Sequence, residues 1–284
     1  MGEASKSFLT NVPPMGIYET LYAFQDAFGT SMGNKGTHPW SQGFPLTTQL
    51  PEGPEMPSNI HVNAEDLKYP KAWGLPELRE AIAGYYNHYY SAGIDYENIM
   101  VFAGGRPGLI ALLMFLQQDI HIRIASTEYT PYYDMLRLLK REYSLVGSHV
   151  DNSFFPTVQD YVNPGFADRN LVMLSNPCNP TGVTRTGDEL KSLVNKASYG
   201  SFGLLIDEAY ELFHIPPTSA LEYIDDINDS NLFISGAATK GLQAPGIRIG
   251  WIVAAKRYIE ILGNFSSFGM GGVSRPSQLY ALDL

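Results

Sequence analysis

A chain of 284 residues, 44% hydrophobic and 17% charged, is long enough to bury a large core as one big domain or one and a half. A net charge of −10 excludes a basic track for nucleic acid, and no apolar run reaches the length of a membrane span. The single cysteine, Cys178, excludes an internal disulfide and favours a reducing compartment. The start, MGEASKSFL, has no signal-peptide apolar core, and Lys6 breaks the myristoylation pattern that Met1 and Gly2 begin. A soluble cytoplasmic protein is the expectation.

Residues 1–60 are rich in Pro, Gly and Thr and read as an arm or part of a small lobe. One helix is predicted there, GIYETLYAFQDAFG, with an uneven apolar stripe of Ile17, Leu21, Tyr22 and Phe24. PWSQGFPL looks extended: Pro39 and Pro45 restrict the backbone, and Gly43 allows something to approach closely. A surface loop explains the same residues, and the segment by itself favours that.

From Tyr69 the pattern sharpens. YPKAWG is a bend, and LPELREAIAGYYNHYYSAG predicts a helix. Pro76 lies in its first turn, Leu78, Ile82, Tyr85, Tyr86 and Tyr89 form one face, and Gly93 ends it. A strand, IMVFA, a turn, GGRPG, and a helix, LIALLMFLQ, follow. Free N–H groups in the first turn of such a helix cradle an anion. The turn is neither a Walker loop nor GxGxxG, and tight strand-to-helix turns need glycine for steric reasons as well. HIRIA is the next strand, with Tyr129 just past its end, where a flat ring can stack on a flat ligand or cap the core beside Tyr132 and Tyr133.

LVGSHV and LVMLS read as further strands, the second running into NPCNPTG. Proline stiffens that loop, so the Asn179 amide can be held in one place. Thr186 and Glu189 are spaced as a capping box for the helix that follows. GLLIDEAY is a strand with Asp207 at its end; a carboxylate after four apolar residues needs a cationic or hydrogen-bonding partner, for which Glu208 competes. Tyr210 follows three residues later. The next stretch, NLFISGAATKGLQAPGIRIGWIVA, has two buried strands around a loop bearing one lysine, Lys240, and a cation, Arg248, on the return strand. Gly236, Ala237, Ala238 and Gly241 offer Lys240 little solvation, and desolvation favours the neutral, nucleophilic amine. A guanidinium nearby can hold a phosphate by paired hydrogen bonds. A surface lysine with Arg248 in an ion pair explains the same stretch, and taken alone the stretch favours that, because most lysines are solvated. Alternation of strands and helices over about 95–264 predicts an α/β fold with a mostly parallel or mixed sheet wrapped by helices.

Taken in order, NPCNPTG, LLIDEAY and TKGLQAPGIRIGW, with its Lys-to-Arg spacing, resemble the class I/II aminotransferases, the aspartate aminotransferase-like branch of fold type I pyridoxal phosphate enzymes. The resemblance covers the chain from Tyr69 and, loosely, from Trp40. It implies a three-layer α/β/α large domain over 61–284 and a part of a small domain over 1–60. It implies pyridoxal 5'-phosphate as cofactor, held as a Schiff base (internal aldimine) on Lys240, which then moves the proton at Cα. Asp207 would pair with the pyridine nitrogen, and Tyr210 and Asn179 with the ring's phenolic oxygen. Tyr129 would stack on the ring. Gly105, Arg106, Thr239 and Arg248 would meet the phosphate. Tyr69 would reach the phosphate of a second subunit, so a homodimer is implied. Gly43, and Asn179 again, would lie against the substrate carboxylate. No metal is expected.

The implied activity is transfer of an amino group between an amino acid and a 2-oxo acid. Alternatives within the fold are a C–S lyase, a cyclising synthase or a decarboxylase; outside catalysis, the alternative is a cofactor-binding fragment without turnover. Three departures from the pattern stand out. Ala237 replaces a phosphate-binding serine three residues before Lys240, and Arg106 stands where small or hydroxyl residues are usual. The chain also ends about a hundred residues before the pattern does, the size of a small lobe, and that lobe carries the arginine that grips the α-carboxylate. The substrate's side chain is not legible.

Overall fold

Residue parity along the strands decides the architecture. The computed structural model describes residues 17–38, 43, 45, 55–162, 168–198 and 200–284. Seven strands form one sheet: β1 (Ile99–Phe102), β2 (His121–Ala125), β3 (Tyr143–Val146), β4 (Asn170–Ser175), β5 (Phe202–Asp207), β6 (Leu232–Ala237) and β7 (Gly250–Ala254). Their order is β1-β7-β6-β5-β4-β2-β3, and only β7 runs antiparallel to its neighbours. In β1, Ile99 and Val101 enter one core while Met100 and Phe102 enter the other. Helices cover both faces, so the central strands are apolar throughout rather than alternating.

The first core lies under α2 (Pro76–Tyr90) and α6 (Gly187–Ala197), the second under α3 (Gly105–Phe115), α4 (Pro131–Leu138) and α7 (Lys256–Gly263). This is the three-layer α/β arrangement that the sequence predicts. In α6, Leu190, Leu193, Val194 and Ala197 recur at helical spacing and are all fully buried; each large side chain so placed stabilises by about 1.5–3 kcal/mol. The short helix α5 (Val158–Val162) packs on α6, and α8 (Arg275–Asp283) packs on α2. Near the N-terminus α1 (Ile17–Phe28) forms as predicted but buries no residue. Most of PWSQGFPL lies outside the described residues.

Local details differ from the sequence reading. Helix α2 ends at Ser91, which takes the left-handed conformation (φ 52°) and donates its N–H to Asn87 O; Gly93 lies two residues beyond. Its buried face includes Tyr90, whereas Tyr89 is 63% exposed, because the Tyr90 hydroxyl is drawn inward to Glu211. Strand β3 lies two residues earlier than LVGSHV: Ser148 leaves the sheet to hydrogen-bond Ser126 Oγ. The capping box does not form, since Thr186 makes no side-chain cap and Glu189 instead accepts from Arg185 Nη1 and Val158 N.

Candidate active site

Strands β4, β5 and β6 are parallel neighbours, so their carboxyl ends meet at one rim, where an open α/β sheet collects ligands. Asp207 closes β5 there. Its Oδ2 accepts a hydrogen bond from the Tyr132 hydroxyl at 2.8 Å and its Oδ1 accepts from Ala209 N at 3.1 Å. Burial pushes the carboxyl above the ordinary aspartate range; the Tyr132 bond, the Ala209 N–H and the Lys240 charge pull it back. Glu208 does not compete for these partners. Neighbouring side chains on a strand point to opposite faces, and Glu208 accepts from Ser219 Oγ (2.6 Å) and Ala220 N (2.7 Å) instead.

Lys240 follows β6 after a short turn in which Thr239 is half-buried. Its Nζ donates to Gly43 O and lies 5.4 Å from the centroid of the Tyr210 ring. Burial lowers the lysine's pKa, the Arg106 charge lowers it further, and Asp207 opposes both. A Cβ at Gly43 would collide with the Tyr210 hydroxyl and lie 3.8 Å from Lys240 Nζ, so a larger residue there forces the tyrosine side chain to shift. Asn179 Nδ2 reaches the Tyr210 hydroxyl at 3.5 Å, and burial raises the pKa of that phenol. The two asparagines of NPCNPTG divide the work. Asn176, fully buried, braces the loop through Arg185 N and O (2.7 and 3.0 Å), while Asn179 faces the site.

The GGRPG turn starts α3 with Gly105. Gly104 (φ 106°) admits only glycine comfortably, and a Cβ there would run into the Arg248 guanidinium. Arg248 therefore lies over the N-terminus of α3. It precedes β7 by two residues rather than lying on the strand, in a left-handed conformation (φ 57°), with Nη1 bonded to Pro245 O and Nη2 to Ala103 O. The Arg106 side chain turns to Tyr129, donating Nε to its hydroxyl at 2.9 Å with the guanidinium 5.6 Å from the ring centroid. Tyr69 is not brought into this cluster; its side chain is 95% exposed.

Two site residues escaped the sequence reading. Tyr132 was one of three tyrosines equally able to cap the core; its spacing of three from Tyr129, at the start of a helix, was the available signal. Ser235 is fully buried, and among the described residues its Oγ has no hydrogen-bond partner; it lies 3.8 Å from where a Gly105 Cβ would be. Its register pairing with Asp207 locates it under the rim.

Residues 37–284 match the family model for aminotransferase class I and II. The chain is 23% identical over 211 residues to an aspartate aminotransferase of Pyrococcus horikoshii, covering 74% of this chain and 54% of that protein. It is 26% identical over 204 residues to the aspartate aminotransferase of Sulfolobus acidocaldarius, covering 70% and 50%. A single mutant of Thermus thermophilus aspartate aminotransferase superposes with a TM-score of 0.70 at 24% identity, covering 77% of this chain and 57% of the other. The aromatic aminotransferase of Pyrococcus horikoshii gives 0.69 at 22%, covering 77% and 60%. These structural likenesses carry the fold. The chain spans about half the length of the curated relatives it matches. With the family match extending from residue 37 to the last residue, the chain belongs to the class I and II aminotransferases.

Proposed function

We propose that this chain is the cofactor-binding part of a pyridoxal phosphate-dependent aminotransferase that moves an amino group between an amino acid and a 2-oxo acid. The observation that carries it is a half-buried lysine, Lys240, with its Nζ 5.4 Å from the Tyr210 ring centroid and within electrostatic reach of the half-buried carboxyl of Asp207. The residues present fit the cofactor. Asp207 is half-buried with no cation hydrogen-bonded to it among the described residues, which suits a pyridine N–H. Arg248 over the N-terminus of α3 suits a phosphate. The unpartnered Ser235 hydroxyl leaves a donor at the floor of that cradle.

When bound, the cofactor supplies an aldehyde and an electron-withdrawing ring. Asp207 would keep the ring nitrogen protonated. Tyr210 and Asn179 would hold the ring oxygen, Tyr129 would pack against the ring, and Arg106 and Gly105 would offer backbone N–H groups to the phosphate, with Thr239 beside them. Lys240, as a free amine, would move the proton at the substrate Cα; its lowered pKa favours the base form. Gly43 leaves room for the substrate's carboxylate. Tyr69, exposed on its own chain, is available to a second subunit, which supports a homodimer; a cytoplasmic location belongs to the same proposal. Among the described residues no helix is long and apolar enough to cross a membrane.

The test is incubation of purified protein with pyridoxal phosphate and an amino acid. Release of the 2-oxo acid with conversion of the cofactor to its amine form is expected. Elimination products, carbon dioxide release, or no turnover by wild type and by a version extended to the relatives' length would contradict it.

A further inference from the structure

Beneath the rim lies a second carboxyl that the chemistry above does not use. Glu128 immediately precedes Tyr129 and is 4% exposed. Its Oε2 accepts from Ser175 Oγ at 2.6 Å, and the Ser175 N–H lies 3.2–3.3 Å from its two oxygens. Ser175 is the last residue of β4, paired in register with Asp207. The same Ser175 Oγ accepts the N–H of Asn179 at 3.1 Å. A continuous chain thus runs from Glu128 through one hydroxyl to the backbone of the residue whose amide faces Tyr210.

We propose that Glu128 is a positioning residue for the site, fixing Asn179 through Ser175 and setting a negative charge behind Asp207 when it is ionised. The hydroxyl of Ser175 has one hydrogen. Ionised Glu128 takes it, leaving the oxygen lone pairs to Asn179 N–H and polarising that bond. Protonated Glu128 becomes a donor itself, the Ser175 hydrogen is released to rotate, and the hold on Asn179 slackens.

The groups facing Glu128 do not neutralise it. They are Asp207 at the end of β5, Cys178 in the loop, Tyr132 and Tyr133 on α4 and Tyr161 on α5. The nearby guanidinium of Arg185 packs over the Tyr161 ring and pairs with Glu189, not with Glu128. Burial first, and the Asp207 charge with it, pushes Glu128 up to about 7 against the pull of its Ser175 bonds. The relay therefore changes state near neutral pH. At the ring, a consequence that rests on the cofactor proposal, ionised Glu128 strengthens the pairing of Asp207 with a protonated pyridine nitrogen.

The test has a readout that needs no cofactor. The backbone amide shifts of Ser175 and Asn179 are followed by NMR in the cofactor-free chain from about pH 5 to about pH 9. A step with a midpoint near 7 is expected in wild type and is absent in Glu128→Gln, which keeps the shape and removes the titration. In Ser175→Ala the step at Asn179 disappears while the Glu128 carboxyl, followed by its own carbon signal, still titrates. Affinity for pyridoxal phosphate then rises about threefold or more across the same window in wild type, the scale of one modest hydrogen bond, and stays flat in Glu128→Gln. No amide step in wild type, or the same step in Glu128→Gln, overturns the inference. Should the cofactor bind neither form, the cofactor proposal fails and the amide step alone decides the relay.

Discussion

Tyr132 donates its hydroxyl hydrogen to Asp207 Oδ2 across 2.8 Å, joining the first turn of α4 to the end of β5. This bond is the main force holding down a carboxyl that burial drives up. Replacing Tyr132 with Phe keeps the packing and deletes the bond, so Asp207 holds its proton to higher pH. Affinity for pyridoxal phosphate is expected to fall by about tenfold, in line with a hydrogen bond to a charged group. The loss should be larger at the acid end of an absorbance titration. Unchanged affinity at every pH would show that Tyr132 does not govern Asp207.

Four desolvated carboxyls share one direction. Asp207, Glu208, Glu211 and Glu128 are all raised, burial being the largest cause for each. The fold thus holds protons that the unfolded chain has released, and stability falls as pH rises through each folded pKa. For Glu128 the window runs from 4.5 to about 7. The melting temperature of the cofactor-free chain is expected to drop by about 3 °C or more between roughly pH 5 and pH 8. Calorimetry checks this, and a melting temperature that climbs over that interval would contradict it.

Gly250 ties the fold to the site. A Cβ there would lie 2.5 Å from Gly105 N and 2.6 Å from Gly104 C, which are backbone atoms at the start of α3. Gly250→Ala therefore pushes β7 off the anion cradle. A stability loss of about 1–3 kcal/mol in denaturant titration is expected, the usual cost of overpacking. Weaker phosphate binding should accompany it. A neutral effect on both would mean that the cradle is not held this tightly.

Arg248 is expected to read the phosphate and nothing else. Arg248→Ala should weaken pyridoxal phosphate by roughly 30-fold, about 2 kcal/mol for a charge-assisted contact, while leaving unphosphorylated pyridoxal unaffected. Equal losses for both ligands, measured by competitive titration, would place its role elsewhere.

The positions of Asp207 and Lys240 at the rim were legible because each follows an apolar run. Asp207 and Lys240 need only the strand pattern to be brought together, and parallel order does the rest. Tyr132, Ser235 and Glu128 were not legible, since their roles depend on which way a side chain turns after a strand ends or on which neighbour lies in register. The Thr186–Glu189 spacing misled for a related reason: Glu189 met a stronger partner in Arg185 than its own helix N-terminus offers. Tyr89 and Tyr90 differ by one step around α2, and a buried acceptor, Glu211, decided between them.

The central claim is that Lys240 holds pyridoxal phosphate covalently. Wild type and Lys240→Ala are each incubated with the cofactor, reduced with borohydride, digested and mapped by mass. The account predicts a visible absorbance band in wild type that reduction abolishes, with the phosphopyridoxyl mass on the peptide containing Lys240 and none in the variant. A modification on another lysine, or equal labelling of both proteins, would contradict it.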